Sequence, residues 1–148
     1  MVLTSLEVIF QENLLMKTFK DKKPEDIIEC WVVSFNNGDL KAILDLYNNE
    51  SVLMPTFLPD ILTNKNQIKN YFERVIKSNV GVELDHTKII IKEISKNNYV
   101  ITGPYIFINK KDKNIKHHSR FTFLVDMLSS SPIRHHHSSK EVSKSESI

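Results

Sequence analysis

A chain of 148 residues, 41% apolar and 26% charged, is long enough for one domain around one core. Its formal charge of +2 is carried by lysines scattered singly among Asn, Asp and Glu, which excludes the basic stripe of a nucleic-acid binder. No window approaches the ~20 apolar residues of a membrane span, and the single cysteine, Cys30, excludes an internal disulfide.

Cys30 sits beside Trp31 in an apolar helical pattern and reads as a buried, inert thiol, because reactive thiols need accessible, electropositive surroundings. With no export signal and no disulfide, the expected location is the reducing cytoplasm. Leu6-Glu7-Val8-Ile9-Phe10-Gln11 resembles a picornaviral 3C protease recognition site, with Ile9 in place of leucine and no Gly-Pro after it. Met16 offers an alternative start. Residues 1–15 are therefore read as an arm, an added segment or a misassigned start, and carry no site residue.

From Asp21 the pattern is helical. Pro24 suits a first turn, Glu25 and Asp26 suit the positive end of the helix dipole, and Ile27, Ile28, Trp31, Val32 and Phe35 form one stripe. Gly38 suits the left-handed position after that helix. Asp39 is placed to cap a second helix with the stripe Leu40, Ile43, Leu44, Tyr47. Ser51–Met54 reads as a short strand cut by Pro55, with Ile61-Leu62 a further short strand. Thr63 is placed to cap a third helix carrying Ile68, Tyr71, Phe72, Val75 and Ile76.

After Gly81 the period becomes two. Strands are expected over Val82–Ile94, Tyr99–Asn109, Ile115–Leu128 and Ile133–Ser138, joined by hairpins into an antiparallel meander. The Gly103-Pro104 pair predicts a bend. A single domain over 16–139 is expected, with a polar, disordered tail over 140–148. Helices first and strands later define an α+β fold, in which a strongly curved antiparallel sheet wraps three N-terminal helices as a cone-shaped half-barrel.

Chemistry concentrates in Arg120–Ser139, where an arginine heads one strand and His135, His136 and His137 end the next. Adjacent strand residues point to opposite faces. If Ile133 faces the core, His135 and His137 follow it and His136 does not; if the parity slips, the reverse holds. Arg120 reads as an anion anchor in a pocket or as a strand-end arginine paired with an acid such as Asp126. A neutral histidine in such a pocket could act as an acid or base near pH 7, or be a structural histidine. His118, His135 and His137 lack the acid and spacing of a metal site, so no metal and no cofactor are expected. Asp85, Tyr105, Tyr71 and Tyr47 are weaker candidates for proton chemistry.

Asn37-Gly38-Asp39-Leu40, Leu46-Tyr47, Ser51-Val-Leu-Met-Pro55, Tyr71-Phe72-Glu73, Gly103-Pro-Tyr105-Ile-Phe107, Arg120-Phe-Thr-Phe123 and His136-His137-Ser138-Ser139 stand in the order seen in nuclear-transport-factor-2-like domains. More narrowly the chain resembles SnoaL-like proteins and the calcium/calmodulin-dependent kinase II association domain. The resemblance implies a pocket between sheet and helices. Arg120, Phe107 and Ser138 fall at three of the association domain's pocket positions. Ser130-Ser131-Pro132 replaces the family's Gly-Lys-Trp-type turn.

The expected function is binding of a small polar-headed or anionic ligand, with Arg120, His118, His135, His137, Tyr105 and Phe107 as pocket candidates. An isomerase, cyclase or dehydratase using a pocket histidine as base, and a homo-oligomerisation module without ligand, are the alternatives. The expected partners are a second copy of the chain, meeting through the outer sheet face, and an unidentified small molecule. No nucleic acid and no membrane are expected.

Overall fold

The computed structural model describes residues 4–5 and 19–148. Leu6–Gln11 and Met16 lie outside the described residues. Three helices, α1 (Pro24–Asn36), α2 (Leu40–Leu46) and α3 (Lys65–Lys77), pack on one face of a six-stranded sheet. The strands are β1 (Tyr47–Met54), β2 (Val80–Leu84), β3 (Ile90–Ser95), β4 (Asn98–Asn109), β5 (Lys116–Asp126) and β6 (Ile133–Lys140). Their spatial order is β1-β6-β5-β4-β2, with β3 also on β4. All pairings are antiparallel except β1 with β6, which the meander expectation did not contain.

Local chemistry sets the helix ends. Pro24 opens α1, and the Asp26 carboxylate accepts the Lys23 backbone N–H at 2.9 Å. Gly38 follows α1 at φ +64°, a conformation open to glycine without a Cβ clash. The Asp39 side chain then accepts from the Ala42 N–H at 3.0 Å and starts α2. Asn64, one residue after the expected Thr63, caps α3 through the Gln67 N–H.

Three element expectations change. Tyr47 does not continue the α2 stripe but begins β1, fully buried. The strand expected over Val82–Ile94 is two strands, β2 and β3, parted by a 3-10 turn at His86–Lys88. Asp85 makes that break, its carboxylate accepting from the Thr87 N–H. The last strand, expected to end at Ser138, runs on to Lys140, and Lys144–Glu146 forms an exposed 3-10 turn capped by Ser143. As expected, Leu62 pairs with Leu53, through two backbone bonds of 2.9 Å.

The core joins α1 to the inner sheet face. Trp31 meets Phe35, Phe72, Tyr105 and Phe123 at ring-centroid distances of 5.1–6.3 Å. Gly103 keeps β4 continuous, since a Cβ there would lie 3.3 Å from both Ile89 and Phe121.

Candidate functional site

The two faces of β5 and β6 differ sharply. Ser119, Phe121, Phe123 and Val125 of β5 point inward and are buried, so His118, Arg120, Thr122 and Leu124 point outward. On β6 both Ile133 and His136 are buried, although they are an odd number of positions, three, apart. The register explains this: Val125 pairs with Ile133 and Leu124 with His135, so Arg134 is an extra residue, a β-bulge. Its side chain reaches Asp126 at 3.8 Å. The bulge flips the parity after Ile133, putting His136 and Ser138 inside and His135 and His137 outside.

Of the residues singled out in the sequence, the structure brings Tyr105 and Phe107 together inside. It leaves Arg120, His118, His135 and His137 on the opposite face, where they share no space with those two. The pairing of Arg120 with Asp126 also gives way to Arg134. Among the described residues, no group of three or more His, Cys, Asp or Glu converges on a metal position.

His136, named for the slipped parity but left out of the pocket candidates, holds the centre of a buried polar chain. Trp31 Nε1 donates to Tyr47 Oη at 3.0 Å, and Tyr47 Oη lies 2.8 Å from His136 Nδ1. Trp31 is donor-only, so the Tyr47 proton has His136 Nδ1 as its acceptor. His136 is then the Nε2–H tautomer, and that nitrogen lies 3.3 Å from Tyr105 Oη. Tyr105 donates to Ser138 Oγ, which shares a hydrogen bond with Thr56 Oγ1.

Burial, followed by the neighbouring charges of His135 and His137, pushes the His136 imidazole down to about 3. It is therefore neutral at physiological pH, as a chain in which it accepts at Nδ1 requires. Burial likewise pushes the Tyr47 and Tyr105 hydroxyls up. Phe123 stacks on the His136 ring at 4.0 Å. The space at this chain, bounded among others by Trp31, Tyr71, Phe107 and His136, amounts to about 10 Å³. The interior is thus closed around its polar groups.

An open cavity of about 330 Å³ lies beside it at the mouth of the cone. Its walls are Phe57, Leu58, Tyr71, Val75 and Val80, with Arg74, Ser78 and His117 as its polar members. Burial, then the Lys140 charge, holds His117 below its ordinary value.

The outer face carries two rows across the sheet that mix apolar residues with Lys, Thr and His. Lys92, Val100, Leu124, His135 and Val52 form one; Ile90, Thr102, Thr122, His137 and Met54 form the next. Val52, Met54, Val100, Thr102, Thr122 and Leu124 are only half-buried, because the three helices all lie on the inner side.

A curved sheet closed over three helices, with a mouth cavity at one end, defines a nuclear-transport-factor-2-like α+β cone. The solved structures agree. An association-domain protein of Xanthomonas campestris has a TM-score of 0.70 at 25% identity, covering 79% of this chain and 84% of its own. A Streptomyces avermitilis protein of the nuclear-transport-factor-2-like family, described as a dehydratase, gives 0.69 at 8% identity, covering 79% and 92%. A ketosteroid isomerase-like protein of Erwinia carotovora gives 0.63 at 17%, covering 80% and 94%.

Residues 22–141 match the model of the calcium/calmodulin-dependent protein kinase II association domain, and the chain belongs to that family. Comparison with curated proteins gives no match. No helix among the described residues is long and apolar enough to cross a membrane.

Proposed function

We propose that this chain is a self-associating module that pairs through the outer face of its sheet. The observation that carries the reading is the half-burial of Val52, Met54, Val100 and Leu124 on that face, over which no helix lies among the described residues. A sheet apolar on both faces needs a second cover, and a second copy supplies it. Membership of a family named for association points the same way. A homodimer is its simplest form, and His118, Arg120 and His137 then belong to the contact surface. The buried free thiol of Cys30 suits a reducing cytoplasm. Sedimentation equilibrium of the full chain and of Leu124→Glu tests this. The parent should run as a dimer or larger, and the variant as a folded monomer. A monomeric parent at micromolar concentration contradicts it.

A second reading has its own support, the mouth cavity. About 330 Å³ lies at the small end of the roughly 300–1,000 Å³ range of small-molecule sites. Among the described lining residues Arg74 is the one permanent cation, which fits a small apolar molecule with an anionic or polar head. Octanoate should raise the melting temperature of the parent and not of Arg74→Ala; equal shifts in both refute it. An isomerase, cyclase or dehydratase would need His117 as its base, since His136 has no open path. Among the described residues, no carboxylate lines this cavity to pair with His117, so binding without turnover is the reading kept.

A further inference from the structure

A second open cavity, of about 300 Å³, lies where β4 turns into β5. Gly81, Ile108 and Lys116 stand opposite one another on β2, β4 and β5 at outward positions. Val80 and His117, which line the mouth cavity, take the inward positions beside them. The two rows of the proposed contact surface cross β4 at Val100 and Thr102, in the half that pairs with β3, whereas this cavity sits on the half that pairs with β2. It is therefore separate from both the contact surface and the cone interior.

Local chemistry shapes the space. The Asn109 side-chain carbonyl accepts from the Lys111 and Asp112 N–H groups, both at 2.9 Å, and folds the turn so that Lys110, Lys113 and Lys116 border one cavity. The Asp112 carboxylate accepts from the Asn114 N–H at 3.0 Å and is not among the described lining residues. Lys110 Nζ donates to the Asn36 carbonyl at 3.0 Å, at the C-terminal end of α1, where a cation is favoured. One ammonium is thus held in place before a ligand arrives. The Asn36 side chain meets β2, donating to the Val82 carbonyl at 2.9 Å and accepting the Val82 N–H at 2.8 Å. Gly81 leaves the space above it open: a Cβ there would stand 3.4 Å from Asn36 Oδ1 and 3.5 Å from Lys110 Cε. Among the described residues Glu83 is the one carboxylate on the wall, and none of the three lysines has an ion-pair partner.

We infer that this cavity binds a small phosphorylated molecule, its phosphate held by Lys110, Lys113 and Lys116 beside Gly81. Three ammonium groups outweigh the Glu83 carboxylate and suit a multiply charged oxyanion, on which lysines act as point charges. They ring one enclosed space rather than track along a groove, so the ligand is a small molecule and not a nucleic-acid backbone. The inference stands apart from the two readings above and needs neither.

The test is titration of the full-length chain with inorganic pyrophosphate, with sodium chloride at matched ionic strength as the control for screening. Gly81 is one of three glycines, and its amide resonance reports on the cavity, with Gly103 on the β3 half of β4 as the internal control. The Gly81 resonance should move saturably with pyrophosphate and not with chloride, while Gly103 stays. By calorimetry, a Lys113→Ala, Lys116→Ala double variant should bind pyrophosphate about tenfold more weakly than the parent. Gly81→Val keeps every charge, fits a strand position that is not at positive φ, and fills the space with two methyl groups; it should lose at least as much. Gly81→Ala should show a smaller loss and serves if the valine variant does not fold. A Gly81 resonance unmoved by pyrophosphate, or moved equally by chloride, overturns the site. Parent-like affinity in both Gly81 variants overturns the cavity, since the anion then rests on lysines in open solvent. Parent-like affinity in the lysine variant overturns the role of those side chains.

Discussion

His136 and His137 are adjacent, chemically identical and on the same strand, yet they live in different solvents. His136 is 2% exposed, stacked on Phe123 and hydrogen-bonded at both ring nitrogens. His137 is exposed on the outer face, opposite Thr122 and beside Met54. The same split runs along β5, where Phe121 and Phe123 are core while Arg120 and Thr122 are surface. The inner face uses side-chain identity to close a core. The outer face leaves Val52, Met54, Val100 and Leu124 half-buried and, among the described residues, under no helix, with its charges unburied. The comparison teaches that chemistry in this sheet is assigned by parity, and that parity on β6 is assigned by the extra residue at Arg134.

The comparison breaks most visibly at Phe123. Phe123→Ala should cost about 3–5 kcal/mol by urea unfolding, the transfer loss plus a cavity against Trp31 and His136. Its outward neighbour Thr122→Ala should cost less than about 1 kcal/mol. Equal costs would mean that the two faces are not distinct.

A pH titration of stability sharpens the contrast between the two histidines. Burial holds the folded-state value of His136 at about 3, against the ordinary 6.5. The unfolded chain therefore binds the extra proton between those values. Stability from this residue is full above pH 6.5 and should fall by about 1.4 kcal/mol per pH unit on acidification towards pH 3. Chemical denaturation of His136→Phe should lose that slope, while His137→Ala should keep it.

Tyr47→Phe should cost about 1–3 kcal/mol, because it leaves the Trp31 N–H and His136 Nδ1 buried without their shared partner. Thermal unfolding of Tyr47→Phe and of a Tyr47→Phe/His136→Phe pair would show the second change to be smaller than His136→Phe alone. The smallest effect is expected at Arg134→Ala. Its partly exposed 3.8 Å contact with Asp126 should contribute less than about 1 kcal/mol.

Much of the fold was legible because its signals are local. Pro24, Gly38 and Asp39 mark helix ends by backbone geometry and capping, and the alternation of Phe121, Phe123 and Val125 marks a buried strand face. Tyr47 was misassigned because its spacing from Leu40, Ile43 and Leu44 fits a fourth helical position, and only the parallel pairing of β1 with β6 removes it. The site was harder. The expectation for His135 and His137 followed correctly from Ile133 on an unbroken strand, and no residue near Ile133 announces a bulge. The alternative parity, stated without it, is the one found. Arg120 was placed by resemblance, while its neighbours Ser119 and Phe121, both buried, already fix it outward. The cavity polar groups Arg74 and His117 come from α3 and β5, and nothing in either segment alone shows that they share a wall.

The most direct test of the outer face as the contact surface uses the fact that Cys30 is buried. Thr122→Cys places an accessible thiol at the centre of the outer face, and Lys96→Cys places one at the β3–β4 turn. The rate of maleimide labelling would be followed against protein concentration. The account predicts that Thr122→Cys labels quickly when dilute and slowly when concentrated, as a second copy covers it, while Lys96→Cys labels at one rate throughout. A Thr122→Cys rate that does not change with concentration, in a chain that sediments as an assembly, would mean that the copies meet elsewhere.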